Sequence, residues 1–450
     1  MSESLTHDVQ VQVRPGRTLQ GACRVPGDKS ISHRALILGA LADGTSQVRG
    51  SLSAGDTRAT LRVMRALGVV IETPDAATLI VHGRGLHGLE PPAAPLDCGH
   101  AGTAIRLLAG VLAGQRFTSV LDGSAQLRRR PMRRVVEPLR QMGAQITDTR
   151  GCAPLRVVGS PLHGIAYRMP VASAQVKSSI LLAGLLASGP TAVIEPGPAR
   201  DHTERMLRAM GVDVETADGC CVTLIPPDRL HPLDLSVPGD LSSAAFVLVA
   251  ALLAGAGDVT IAGVGINPTR TGILDILGAM GADIAQQNPR TESGEPVADL
   301  VARPSALRGT AIAGDWVVRA IDEFPALMIA ATQAEGVTEV HGAEELRVKE
   351  TDRIAVMAAE LRKLGADIEE WPDGFRIAGP QRLRGATVDG HDDHRVAMAL
   401  VLAGLVADGP TTVANARCIE DSFPGFVETL QALGADMAQV IVDGHGERTA

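Results

Sequence analysis

The chain has 450 residues, 45% apolar and 21% charged, the balance of a folded protein long enough for two or three domains. A net charge of −9 and only six Phe, two Trp and one Tyr argue against nucleic acid as a partner, since neither a basic surface nor base-stacking platforms are available. No apolar stretch reaches the roughly 20 residues of a membrane span, and the polar start Met1–Arg14 lacks a signal region, so a cytoplasmic protein with no membrane partner is expected.

In chain order, Val25-Pro26-Gly27-Asp28 predicts a turn and Ile31 to Leu38 a helix, with Ser30 as its N-cap. Lys29 then stands just before the cap and Arg34 one turn in. Cations there oppose the helix dipole, so an anion such as phosphate or carboxylate is expected to compensate them. A helix-end phrase follows at Ala66-Leu67-Gly68. It recurs with Gly143, Gly211, Gly281, Gly365 and Gly434, at spacings of 75, 68, 70, 84 and 69 residues. Each fits a glycine that ends an amphipathic helix ahead of a strand. Between these phrases run apolar helices ending in glycine: Ala35–Gly44, Ala104–Gly114, Val176–Gly189, Ala244–Gly255, Ala326–Gly336 and Val396–Gly409. They are apolar nearly all round and should be buried. Self-similarity at about 70 residues predicts six copies of one unit with two helices and roughly four strands.

The turn Val25-Pro26-Gly27-Asp28 returns 212 residues later as Val237-Pro238-Gly239-Asp240. The duplication predicts an α/β fold of two similar three-unit domains: 27–237, and 238–450 joined by 1–26 with its strand Val9–Val13. The buried helices start at polar groups, the fifth of them at Asp322-Glu323, and capping does not account for Lys29, Arg34, Arg106, Lys177 and Arg395. With a common orientation of the units, these starts converge on the gap between the domains. A locally positive cleft of that kind suits a small, multiply charged substrate. The cysteines Cys23, Cys98, Cys152, Cys220, Cys221 and Cys418 form no CxxC pair and no zinc spacing, so reduced, buried thiols are expected.

Seven motifs carry a resemblance. They are Gly27-Asp28-Lys29-Ser30-Ile31-Ser32-His33-Arg34, Gly102-Thr103-Ala104-Ile105-Arg106, Arg130-Pro131-Met132, Ser173-Ala174-Gln175-Val176-Lys177-Ser178, Asp322-Glu323-Phe324-Pro325, Lys349-Glu350-Thr351-Asp352-Arg353 and Asp393-His394-Arg395. With them the chain resembles the 5-enolpyruvylshikimate-3-phosphate synthase family from about Val11 to Met437, and Arg200-Asp201-His202-Thr203-Glu204 is similar to its bacterial subclass. The resemblance implies two pseudo-threefold domains of βαβαββ-type units that close on substrate, with buried helices and an interdomain active site. It implies transfer of the enolpyruvyl group of phosphoenolpyruvate to the 5-hydroxyl of shikimate 3-phosphate, with release of phosphate. No metal or organic cofactor is implied, and a monomer is expected.

By the same resemblance, Asp322 takes the 5-hydroxyl proton, Glu350 handles protons at C3, and Lys29 steadies developing charge. Lys29, Ser30, Arg34, Ser173, Ala174, Gln175, Arg200, Asp322 and Lys349 would hold shikimate 3-phosphate. Lys29, Gly102, Arg130, Gln175, Arg353 and Arg395 would hold phosphoenolpyruvate. Arginine suits that task because its planar fork binds carboxylate or phosphate bidentately, and Gly102 allows close backbone approach. It also leaves room for glyphosate, which overlaps the phosphoenolpyruvate site in this family. Arg106 and Lys177 stand either as site groups or as structural partners.

The chain departs from the family in two places. His100 stands where Asn is usual, and Asp421-Ser422-Phe423-Pro424 lacks the Lys found before Phe-Pro in many members. UDP-N-acetylglucosamine enolpyruvyl transferases share the expected fold but carry a mobile-loop cysteine, and Leu121–Pro131 has none. A repeat scaffold binding a protein would present an exposed face without an acid/base pair.

Overall fold

The computed structural model describes residues 8–16 and 18–442; residues 1–7, 17 and 443–450, all within the expected second domain, lie outside the described residues. The chain divides into two compact units. An N-terminal unit comprises Gly27–Pro238 and Thr291–Pro296, and a C-terminal unit comprises the segment up to Pro26, Gly239–Arg290 and the chain from Val297 onward.

Among the described residues, the N-terminal unit has three four-stranded sheets and one two-stranded sheet, and the C-terminal unit has three four-stranded sheets. One plan recurs. In the first sheet, Asp234–Ser236 pairs parallel with Thr45–Arg49, which pairs antiparallel with Leu79–His82, and Leu79–His82 in turn pairs antiparallel with Val70–Glu72. A parallel pair followed by an antiparallel one also opens the sheets built on Thr118–Asp122 and Thr191–Ile194. The C-terminal unit repeats it around Val259–Gly265, Gly336–Val340 and Thr411–Ala414. The strand Asp8–Arg14 lies inside the last of these sheets, between Thr411–Ala414 and Asp436–Val442.

Six apolar helices fill the centres: α1 (Lys29–Leu41), α2 (Gly102–Ala113) and α3 (Ala174–Gly184) in the N-terminal unit, and α4 (Leu241–Leu253), α5 (Phe324–Gln333) and α6 (His394–Val406) in the C-terminal unit. Their burial is nearly complete; in α4 every residue but Leu253 is buried. The amphipathic helices of the repeat end as the sequence implies. Gly68, Gly143, Gly211, Gly281, Gly365 and Gly434 all have φ between +85° and +114°, the left-handed region that glycine enters without steric cost. Each unit therefore has its apolar helices inside and its sheets outside.

Local boundaries differ from expectation in three ways. The buried helices stop short of several of their glycines, because Gly44, Gly189 and Gly409 have positive φ and belong to the turn that leads into the next strand, and Gly336, also at positive φ, opens the strand Gly336–Val340 itself. α5 begins at Phe324 with Glu323 as its N-cap residue, so Asp322 lies in the preceding turn and does not start the helix. The six cysteines are free, but only Cys98 and Cys418 are buried.

Candidate active site

The start of α1 corrects the sequence reading. The N-cap is Asp28, whose Oδ1 accepts from Ile31 N at 2.9 Å, and Lys29 and Ser30 are the first helical residues. A carboxylate at the cap complements the dipole as well as satisfying an amide, which a serine hydroxyl does less strongly. Lys29 has its own counterion, with Nζ 3.0 Å from Asp56 Oδ2. Two carboxylates of the protein thus stand at this helix start, Asp28 on the dipole and Asp56 on Lys29. Arg34 is buried: Nε donates to Thr203 Oγ1 at 2.7 Å, Nη1 to Ser30 O at 2.9 Å and Nη2 to Ser178 Oγ at 2.7 Å. His33 lies between, Nδ1 2.7 Å from Thr60 Oγ1, and burial lowers its pKa to about 4, outweighing the carboxylate of Asp56.

The starts of α2 and α3 meet around a buried arginine. Arg106 is wholly buried and donates to Gln175 Oε1 and to Pro131 O, while Gln175 Nε2 donates to Thr103 Oγ1 at 2.8 Å. Arg106 is accordingly a structural partner that fixes Gln175. In the run Arg128-Arg129-Arg130, the first two are exposed and Arg130 is buried. Its guanidinium fills the space beside Gly102: a Cβ built there would lie 2.5 Å from Arg130 Nη1 and 3.3 Å from Arg106 Nη1. Gly102, Arg106, Arg130 and Gln175 are therefore one cluster. His100 stands nearby and exposed, Nδ1 2.9 Å from Gln126 Oε1 and 3.1 Å from Ser124 Oγ. Ser173 caps α3, its hydroxyl accepting from Val176 N at 3.4 Å, and Ala174 is the first helical residue. Lys177, whose role the sequence left open, is buried among Glu195, Glu204 and Ala199 O. Arg200 follows Ala199 directly and is half-buried.

The C-terminal unit gathers its five candidates in one place. Asp322 Oδ1 lies 3.6 Å from both Lys349 Nζ and Arg353 Nη1, and Oδ2 lies 4.0 Å from Arg395 Nη2. Arg395 Nη1 also donates to Asp322 O at 3.0 Å. Glu350 Oε2 accepts from Arg353 Nη2 at 2.7 Å. Burial pushes the Lys349 ammonium below its usual range against the pull of Asp322. The arginine of this motif is placed by a group the sequence reading left without a role. Asp393 accepts Arg353 Nε at 2.9 Å and Nη2 at 3.1 Å, accepts Thr351 Oγ1 at 3.1 Å, and caps α6 by accepting Arg395 N at 3.0 Å. This fully buried carboxylate orients both arginines and raises the Arg353 pKa further. Asp352 caps the helix Arg353–Lys363 by accepting from Ala355 N at 3.0 Å.

The arrangement holds two carboxylates, Asp322 and Glu350, among one lysine and two arginines; carboxylates so placed can exchange protons, and cations so grouped can bind an anion. Asp56, Thr103, Ser178, Thr203 and Asp393 escaped the sequence reading as partners. Most act across long separations in the chain, which spacing does not reveal; Asp393 alone carried a signal, as the last acid before α6.

The family described as EPSP synthase (3-phosphoshikimate 1-carboxyvinyltransferase) matches residues 13–430. A protein of Halorhodospira halophila named 3-phosphoshikimate 1-carboxyvinyltransferase is 55% identical over 439 residues, 97% of this chain and 98% of its own. One of the same name from Geobacter sulfurreducens is 54% identical over 424 residues, 94% and 98% of the two chains. The solved structure of EPSP synthase from Acinetobacter baumannii matches with a TM-score of 0.85 at 46% identity, covering 96% of this chain and 99% of that one.

Proposed function

The chain belongs to the EPSP synthase (3-phosphoshikimate 1-carboxyvinyltransferase) family of the shikimate pathway, and we propose that it moves the enolpyruvyl group of phosphoenolpyruvate to the 5-hydroxyl of shikimate 3-phosphate, releasing phosphate. The observation that carries the mechanism is the placement of Asp322 within 3.6 Å of Lys349 and Arg353, with Glu350 on the same arginine. In the addition step, Asp322 accepts the 5-hydroxyl proton as that oxygen bonds to C2, and Glu350 delivers a proton to C3. The tetrahedral intermediate then bears carboxylate and phosphate on C2. Elimination returns the C3 proton to Glu350 while the C2–O bond to phosphate breaks. Lys29, Arg130, Arg353 and Arg395 hold the anionic groups, and preorganised cations of this kind are typically the largest contribution to such a rate. Gln175, held by Arg106 and Thr103, orients substrate, and Ser173, Ala174 and Arg200 with Lys29, Ser30 and Arg34 receive shikimate 3-phosphate. Gly102 gives phosphoenolpyruvate close access to backbone.

Among the described residues, no helix is long and apolar enough to cross a membrane, and a cytoplasmic monomer is part of the proposal. The test is phosphate release measured with each substrate alone and with both. Release only when phosphoenolpyruvate and shikimate 3-phosphate are present together, with shikimate a poor substitute, is the expected result. Release from phosphoenolpyruvate alone, or equal rates with shikimate, overturns the assignment.

A further inference from the structure

A buried group of three charges stands outside the reaction just described. Lys177 Nζ lies 2.7 Å from Glu195 Oε1, 2.7 Å from Glu204 Oε1 and 3.1 Å from Ala199 O. An ammonium has three hydrogens, and each has an acceptor here. The second oxygen of Glu195 accepts from Ala199 N at 3.2 Å. Both polar groups of residue 199 are therefore gripped, one by the lysine and one by the carboxylate. All three side chains are at most 2% exposed.

Such a triad is a poor device for stability, because desolvating three charges offsets most of their attraction. It is a good device for fixing one geometry. Residue 199 sits in Pro196-Gly197-Pro198-Ala199, where two prolines remove amide donors and the chain has few other ways to be held. Arg200 comes next. On its far side, Thr203 is fixed by Arg34 Nε and Ser178, both at 2.7 Å, and Glu204 by Lys177. We infer that Lys177 and Glu195 are positioning residues that lock peptide 199 and thereby aim Arg200 at the 3-phosphate of the substrate. The inference rests on the reading of Arg200 as a phosphate ligand.

Glu195→Gln isolates the grip. An amide has one acceptor oxygen, so it serves either Lys177 or Ala199 N–H, and its other end presents a donor to a donor. The remaining Lys177–Glu204 pair is neutral, so no buried charge is stranded. The readout is the ratio of kcat/KM for shikimate 3-phosphate to that for shikimate. Glu195→Gln should lower this ratio about tenfold, chiefly through KM for the phosphorylated substrate, as expected for a cation displaced by a fraction of an ångström. Glu204→Gln keeps an acceptor for Lys177 and both bonds to residue 199, so the ratio should stay within about twofold. In an Arg200→Ala background, Glu195→Gln should add less than about twofold, because the group it aims is gone. If Glu195→Gln does not fold, the uncharged triple variant Lys177→Met, Glu195→Gln, Glu204→Gln gives the same readout. Equal losses on both substrates, or additive losses with Arg200→Ala, overturn the inference. An unchanged ratio in Arg200→Ala alone instead refutes the phosphate-pocket reading, and the inference falls with it.

Discussion

Replacing Gly102 by alanine should injure phosphoenolpyruvate binding while leaving the fold nearly intact. The added methyl would lie 2.5 Å from Arg130 Nη1 and 2.9 Å from its Cζ. Comfortable contacts are about 3.5 Å or more, so the guanidinium must retreat by about 1 Å. It is the far end of a flexible side chain, and that makes the retreat cheap for stability. It is costly for a site that places a carboxylate or phosphate on that arginine, where a 1 Å error can reach about 100-fold. Arg106 Nη1, 3.3 Å from the new methyl, is tied to Gln175, so a smaller push reaches that side chain too. We expect KM for phosphoenolpyruvate to rise about 10- to 100-fold, or about 1.4–2.7 kcal/mol. KM for shikimate 3-phosphate should change less than about threefold and unfolding by less than about 1 kcal/mol. Glyphosate, which competes for the same arginine in this reading, should lose at least as much affinity. Steady-state kinetics with each substrate varied in turn, inhibition curves and urea unfolding are the measurements. An unaltered KM for phosphoenolpyruvate in a folded Gly102→Ala protein would refute the steric link to Arg130, and unchanged glyphosate inhibition would refute the shared site.

Three further outcomes are expected. His33, buried and with its pKa lowered to about 4, binds its proton more readily when unfolded. Its stabilising contribution is present above about pH 6.5 and is lost as pH falls toward 4, by up to about 3 kcal/mol. His33→Gln should flatten urea midpoints over that window, and an unchanged pH slope would exclude this role. Asp322→Asn should reduce kcat by about 10²- to 10⁴-fold while shikimate 3-phosphate still binds in calorimetry; a kcat within tenfold of the parent would remove Asp322 as the base. His100, next to Ser124 and Gln126, stands two residues before Gly102, so His100→Ala should raise KM for phosphoenolpyruvate severalfold; an unchanged KM would show that His100 is a bystander.

Sequence periodicity revealed the architecture because the repeat constrains backbone and burial together. A glycine at +φ must follow each amphipathic helix, and an apolar helix must be enclosed by its neighbours, so both leave marks at fixed spacing. Helix starts were less legible. Asp28 and Ser30 are both good caps by type, and only the geometry shows that Asp28 takes the Ile31 amide. Pro325 in the first turn of α5 likewise places the helix start beyond Asp322. Partners were the least legible. Arg106 with Gln175 and Arg353 with Asp393 span 69 and 40 residues, and no local pattern ties such pairs. The resemblance supplied candidates one residue at a time, whereas the buried acids that orient them emerge only from packing.

The strand Asp8–Arg14 has a bearing on how the protein is made. Its neighbours, Thr411–Ala414 and Asp436–Val442, leave the ribosome about 400 residues later, roughly 20–80 s at typical elongation rates. Gly27–Pro238, by contrast, emerges as an almost complete unit and can fold while translation continues. Through that interval the first strand is a nascent edge with no companion, open to adventitious pairing with other chains. Its alternating Gln10, Gln12 and Arg14 give the waiting segment a hydrophilic side, a brake on aggregation during biosynthesis.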